Sequence, residues 1–339
     1  VIVGVGRVLH VGDATEYQYT DQQPGSLRSI LWERLVQHSI RPQFKDGFLL
    51  PYHDLIPYLE AHPELDPASF AAFAPDGYFD EFSYAAELAS HDAAIEALLA
   101  CAGALTRIKS VLGGAWDPQI KWLHDRIAEL WSMRGPGPGL GAALCAFGVE
   151  YGAFVAREIE TKLADNTDPW PLVAEAFQNP RRVLSPASAA HLSRTLCATW
   201  QGLPAERRAL LKLLSRFNLK PEQATLLYVR EKREKAGIRC QDAEIIANPY
   251  LIYELMRLRA NPVSLGVVDR GIFPDPVIRE QHPLPEPSAI DGGLDARRVR
   301  AFVVQQLEHA ADEGHTLQRT DDLVRAIGDL DISPACPIH

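Results

Sequence analysis

Proline recurs in this chain where helical patterns open, at Asp117-Pro118, Asp168-Pro169, Ser185-Pro186 and Lys220-Pro221. Its locked φ suits the first helical turn, where a missing N–H costs nothing, and disrupts a helix further in. Punctuation of this kind restricts the chain to short helices with abrupt reversals between them. Gly113-Gly114 and Gly314 supply matching stops, because glycine readily adopts the left-handed conformation of a helix C-terminus. From residue 85 to 258 the pattern is almost wholly helical. Ser90 is positioned as an N-cap, and Ile95, Leu98, Leu99, Ala102, Leu105, Ile108 and Leu112 mark one apolar face. Ile120, Leu123, Ile127 and Leu130 mark the next. A single helix is expected through Gly141, Gly148 and Gly152, its glycines compensated by a neighbouring backbone packed close. Phe177, Leu192, Leu196 and Trp200 continue the core. Asp295 is read as the cap of a helix reaching Ala311 and Thr320 as the cap of a last short one ending at Gly328.

The N-terminus reads differently. Residues 1–11 and 14–20 alternate like strands, and 26–41 fits a strand or a helix, with a bulged strand the preferred reading. The expected fold is therefore mainly α: a helical body of several subdomains, one of them helix-hairpin-helix-like, preceded by a small β-rich segment. The expected divisions are 1–56, the tail of a small β-rich domain; 57–84, a Pro-rich connector; and 85–202, a helical bundle. They continue with 203–262, a basic helix-hairpin-helix-like segment; 263–290, a second Pro-rich connector; and 291–339, a C-terminal helical pair.

A length of 339 residues with 47% hydrophobic and 23% charged side chains is enough for more than one real core. A net charge of −10 argues against a protein that coats nucleic acid indiscriminately. No apolar run reaches the length of a membrane span, and Val1 opens a strand-like segment instead of a signal peptide. The expectation is a cytoplasmic piece of a longer polypeptide. Five widely spaced cysteines without a CxxC pair fit reduced thiols and give no zinc or disulfide pattern.

Three stretches invite a chemical reading. Gly4-Val5-Gly6 lacks the third glycine and the following helix of a dinucleotide fingerprint. Gly135-Pro136-Gly137-Pro138-Gly139 lacks the lysine of a phosphate loop, and its prolines remove two amide donors. The chain itself is therefore expected to be non-catalytic, with no cofactor of its own. His38, Arg41, Asp46, Tyr52 and His53 gather around a Lys45-Asp46-Gly47 turn, a grouping open to a hydrolytic or anion-binding reading. No spacing among them matches a metal or nucleophile motif, so a linker whose side chains cap turns is the plainer alternative.

The most distinctive stretch is Leu203 to Leu255. Between Pro204 and Asn261 twelve basic residues face seven acidic ones, a local surplus of five positive charges in an acidic protein. Such a patch meets the electrostatic requirement for holding phosphates, and the same mixture of signs is also what a solvated helix face looks like. Asn248-Pro249-Tyr250-Leu251-Ile252-Tyr253-Glu254 and the run from Asp295 to Leu317, ending on Gly314-His315-Thr316, resemble the region before the motor of RecD-like (exonuclease V alpha-subunit-like) superfamily 1 DNA helicases. The resemblance covers about a third of the chain, Leu203 to Ile327. It implies an accessory region that binds DNA, single-stranded or at a strand junction. A C-terminal ATPase motor in the same polypeptide would use ATP and Mg²⁺. On this reading Lys212, Arg216, Arg230, Lys232, Arg233 and Lys235 contact phosphates, with Arg297, Arg298 and Arg300 as a second group. The family's glycine-rich hairpin after Asn-Pro-Tyr is replaced here by the segment from Arg257 to Pro274. The alternative from another class is a helical protein-interaction scaffold with no nucleic-acid role, which the acidic overall charge and the Ala-rich helices equally allow.

Overall fold

The computed structural model describes residues 8–14, 34–38, 52–75, 78–82, 89–330 and 332–338. It forms two compact units, Val1–Leu130 and Trp131–His339. In the first, strands β1 (Val8–Ala14) and β2 (Arg34–His38) pair antiparallel, with irregular register between Val8 and His10 and again between Val11 and Ala14. The bulge was expected in the 26–41 segment, and in the pair the extra residues fall on β1 instead, between Val8 and His10 and between Val11 and Ala14. Helices α1 (Tyr52–Ala61) and α2 (His91–Leu112) follow, and Leu55, Phe70 and Ile108 form a small core there. Ser90 Oγ accepts from the Ala93 amide and Gly113 closes α2 at φ +68°. Helix α3 (Asp117–Arg134) begins at the Asp-Pro start.

The second unit is all helix among its described residues. Helix α4 (Leu140–Phe147) is apolar on every side, and such a helix belongs at a centre. Around it pack α5 (Gly152–Glu160), α10 (Ala205–Ser215) and α11 (Pro221–Tyr228). The single helix expected through Gly141, Gly148 and Gly152 is in fact two. Gly148 ends α4 at φ +110°, Tyr151 turns the chain at φ +56°, and α5 folds back on α4. The expected close backbone is present at that crossing: a Cβ on Gly152 would lie 2.7 Å from the Cys145 nitrogen, and one on Gly141 2.9 Å from Ala153 Cα.

Short helices α6 (Trp170–Gln178), α7 (Pro180–Val183), α8 (Pro186–Ala189) and α9 (Arg194–Gln201) complete this layer. Trp200 is stacked between Phe177 and Trp170, at ring separations of 4.6 and 6.0 Å. Then come α12 (Arg230–Lys235), α13 (Asp242–Ala247) and α14 (Leu251–Met256). The segment expected to be a mere connector holds two further helices, α15 (Leu265–Ile272) and α16 (Pro276–Gln281). Val268, Ile272, Phe273 and Ile278 are buried there, since apolar side chains between prolines still seek a core. Helices α17 (Ala296–Asp312) and α18 (Thr320–Gly328) end the unit. Gly314, at φ +89°, closes α17: its amide donates to Ala311 O and that of His315 to Ala310 O, the paired bonds of a Schellman stop. Thr320 is the first helical residue of α18, and Arg319 occupies the cap position without a side-chain bond. No helix among the described residues is long and apolar enough to cross a membrane.

Candidate nucleic-acid interface

Helix α10 buries Leu210, Leu211, Leu213 and Leu214, which fixes the opposite side of the helix toward solvent. Lys212 is exposed there, and Nζ has no partner among the described residues. Arg216, just past the helix end, donates from Nε to Gly271 O at 3.2 Å. Burial and the neighbouring charge of Arg134 push its guanidinium down to about 10, against the pull of Asp168. Its two terminal nitrogens make no hydrogen bond among the described residues.

Asp242, at the start of α13, is fully buried and gathers three guanidiniums. Arg207 Nη1 donates to Oδ2 at 3.0 Å, Arg230 donates from Nη2 at 2.7 Å and Nε at 3.1 Å, and Arg233 Nη2 donates to Oδ1. Burial raises the Asp242 pKa, and the bonds from Arg230, Arg233 and Arg207 outweigh it, leaving the carboxyl below its ordinary value. Arg207 also lies over the Tyr228 ring at 3.5 Å. Arg230 stays half exposed, and its Nη2 is 3.7 Å from Glu206. Arg233, by contrast, is buried, which removes it from any surface contact. Lys232 and Lys235, on the outer side of α12, are exposed and unpaired among the described residues.

The second basic group divides in the same way. Arg298 is fully buried and clasps Asp269 with Nε and Nη2, both at 2.8 Å, while Nη1 reaches Gly293 O at 3.0 Å. Tyr250 donates its hydroxyl to the same carboxylate at 2.6 Å, and burial together with the Asp269 charge holds that phenol far above its ordinary range. The segments around Tyr250 and Arg298 therefore meet on a single aspartate. Arg297 donates to Ala247 O, Ala289 O and Asp295, stapling the Pro-rich segment to the end of α13. Arg300 is exposed but engages both oxygens of Glu254, at 2.9 and 3.1 Å. Of the nine basic residues singled out by sequence, Arg233 and Arg298 face the interior. Arg216, Arg230, Arg297 and Arg300 hold internal partners, and Lys212, Lys232 and Lys235 face solvent unpaired.

The turn between α12 and α13 was not singled out. Gly237 takes φ +72°, its amide donates to Glu234 O, and the Ile238 amide donates to Arg233 O. The Arg239 and Cys240 amides then have no acceptor among the described residues, and the Arg239 side chain is exposed. Arg259 steadies this turn by donating from Nη1 to Ala236 O at 2.8 Å. The sequence signal was a small-Gly-apolar triplet, Ala236-Gly237-Ile238, between two helical patterns.

Elsewhere, His38 lies on β2 and Tyr52 and His53 open α1, while Arg41 and Asp46 lie outside the described residues, as does the segment around Gly4-Val5-Gly6. Among the described residues no group of three His, Cys, Asp or Glu side chains is placed to hold a metal. In the 135–141 loop the Gly139 amide donates to Ser215 O, so it acts as a helix connection. Comparison with protein-family models, curated proteins and solved structures finds no match to this chain.

Proposed function

We propose that this chain is a non-catalytic accessory region that grips the phosphate backbone of DNA through the turn between α12 and α13. The observation that carries this reading is the turn itself. A positive-φ glycine is followed by two amides without acceptors, and Lys232, Lys235 and Arg239 are exposed around it. Backbone amides left open in this way are able to donate to a phosphate oxygen, and the lysines beside them supply the charge. The surrounding ion pairs do not cancel that charge. Arg207, Arg230, Lys232, Arg233, Lys235 and Arg239 stand against Glu206, Glu231, Glu234, Asp242 and Glu244, leaving a surplus of one. In this reading α12, the turn and α13 are the helix-hairpin-helix-like unit, with Asp242 tying its two helices together. The unit precedes Asn248-Pro249-Tyr250 instead of following it. The resemblance to the pre-motor region of RecD-like helicases supports the same assignment, with the ATP- and Mg²⁺-dependent motor supplied by the parent polypeptide.

The test is binding of a fluorescent oligo(dT) to the purified chain across a salt series. Each neutralised phosphate gives a log–log slope of about −0.7 on single strands. Replacing Lys232, Lys235 and Arg239 together by Glu is expected to weaken binding and flatten the slope, and Arg300→Glu to change neither. Affinity independent of salt, or unmoved by the triple replacement, rejects the reading in favour of a protein-interaction scaffold.

A further inference from the structure

One face of α10 lines a cleft of about 710 Å³ within the second unit, a size in the ordinary range for small-molecule sites of about 300–1,000 Å³. Glu206, Ala209, Leu213 and Arg216 follow one another at helical spacing along its wall, with Lys212 at the edge of the stripe. Ten residues separate Glu206 from Arg216, about 15 Å at the α-helical rise. Ala209 between them leaves the middle open.

The two ends differ in charge: one sets Arg216 and Lys212 against the single carboxylate of Asp168, and the other carries carboxylates. At one, Arg216 offers two terminal nitrogens with no acceptor among the described residues, and Lys212 is free. His282, whose Nε2 lies 2.9 Å from Asn166 O, closes that end beside Asp168. At the other, Glu206 lies near the Asp242 cluster and Glu286 lies on the segment that Ser288 Oγ fastens to Ile246 O at 2.7 Å. The wall facing α10 is built from Pro283, Leu284, Pro285 and Pro287, rigid apolar surface in which three prolines remove most of the amides an extended peptide would pair with. Trp170, fixed by its bond to Ser215 Oγ at 3.0 Å, adds an aromatic edge.

We propose that this cleft binds a mononucleotide, with its phosphate on Arg216 and Lys212, its base between the proline wall and Leu213, and the exocyclic amine of the base donating to Glu206 or Glu286. The carboxylates exclude a polyphosphate or a continuous backbone from the far end and favour a base that carries a donor. A free nucleoside monophosphate and the 5′-terminal nucleotide of a single strand share this chemistry. The site is separate from the α12 turn, so it stands whether or not that turn grips DNA.

Calorimetric titration of the full chain with AMP, UMP, adenosine and inorganic phosphate tests it. AMP is expected to bind more tightly than UMP, and adenosine and phosphate alone only weakly. Lys212→Glu and Arg216→Gln are each expected to weaken AMP by about tenfold or more, the loss of a charged hydrogen-bond partner. Ala209→Phe, at a half-exposed position that tolerates bulk, is expected to abolish binding with the helical CD signal intact, and Glu206→Gln to narrow the gap between AMP and UMP. Competition by 5′-phosphorylated but not 5′-hydroxyl oligo(dA) identifies a strand end as the source. Competition by neither identifies the free nucleotide. Replacing Lys232 and Lys235 by Glu is expected to leave AMP binding unchanged, which separates this site from the DNA reading. No heat with AMP, equal binding of AMP and phosphate, or an undiminished signal in Ala209→Phe overturns the proposal.

Discussion

Removal of the Asp269 carboxylate strands a fully buried guanidinium in the second unit. In the native chain this group accepts Arg298 Nε and Nη2 at 2.8 Å each and the Tyr250 hydroxyl at 2.6 Å, and Arg298 is fully buried between the rings of Phe273 and Phe302. Asp269→Ala leaves a guanidinium in the interior with Gly293 O as its remaining acceptor. Breaking a buried pair from one side costs about 3–5 kcal/mol, and an orphaned hydroxyl adds about 1. The expected loss is therefore about 4–6 kcal/mol, comparable with the whole stability of many domains, about 5–15 kcal/mol. Urea titration followed by tryptophan fluorescence reads it, since Trp170 and Trp200 are buried in the same unit. The double variant Asp269→Leu, Arg298→Met is expected to recover most of the loss, because no charge is then stranded. A loss below about 1 kcal/mol for Asp269→Ala, or a double variant no better than the single one, refutes the account of Arg298 as an interior clasp. Reduced DNA affinity in Arg298→Met at unchanged stability would return it to the contact surface.

Glu158 accepts from the Ser185 amide and hydroxyl and from Lys162, tying α5 to the start of α8, and bonds from Ser188 and these groups hold its carboxyl down to about 2. A depressed folded-state pKa means stability that is full above the ordinary carboxylate value and lost as pH falls toward 2. Glu158→Gln is thus expected to flatten the decline in urea midpoint between about pH 5 and 2, and an unchanged acid limb refutes it. Gly152→Ala places a Cβ 2.7 Å from the Cys145 nitrogen and 2.8 Å from Gly141 O, so about 1–3 kcal/mol of overpacking is expected by thermal melting. A neutral result there would mean that α4 and α5 slide apart freely. Gly314→Val forces a β-branched residue to φ +89° and is expected to cost about 1–2 kcal/mol, read as earlier melting of the chain.

The helices were legible wherever their cause is local. Ser90, Gly113, Asp117-Pro118, Asp295 and Gly314 act through bonds within a few residues, so cap and stop could be read directly. Reading failed where a turn had to compete with a continuing apolar pattern. Leu144, Phe147, Tyr151 and Val155 keep helical spacing across the Gly148 stop, and only the fold-back of α5 on α4 reveals it. The basic residues show the deeper limit. Lys232 and Arg233 are neighbours of the same charge, yet one faces water and the other is buried on Asp242, nine residues away. Arg298 finds Asp269 at a separation of 29 residues and Arg207 finds Asp242 at 35.

A count of charges along the chain measures the field available before folding has paired any of them. Folding here draws the arginines inward, where the planar fork satisfies a carboxylate and several carbonyls at once, and leaves the lysines outside. Among the described residues, the surface that remains for a partner in this stretch is smaller than the sequence indicates and differently made: Lys212, Lys220, Lys232, Lys235, Arg239, and the two amides behind Gly237. That composition is why the α12 turn, which contributes backbone donors no intramolecular carboxylate has claimed, carries the functional reading in place of the larger arginine count.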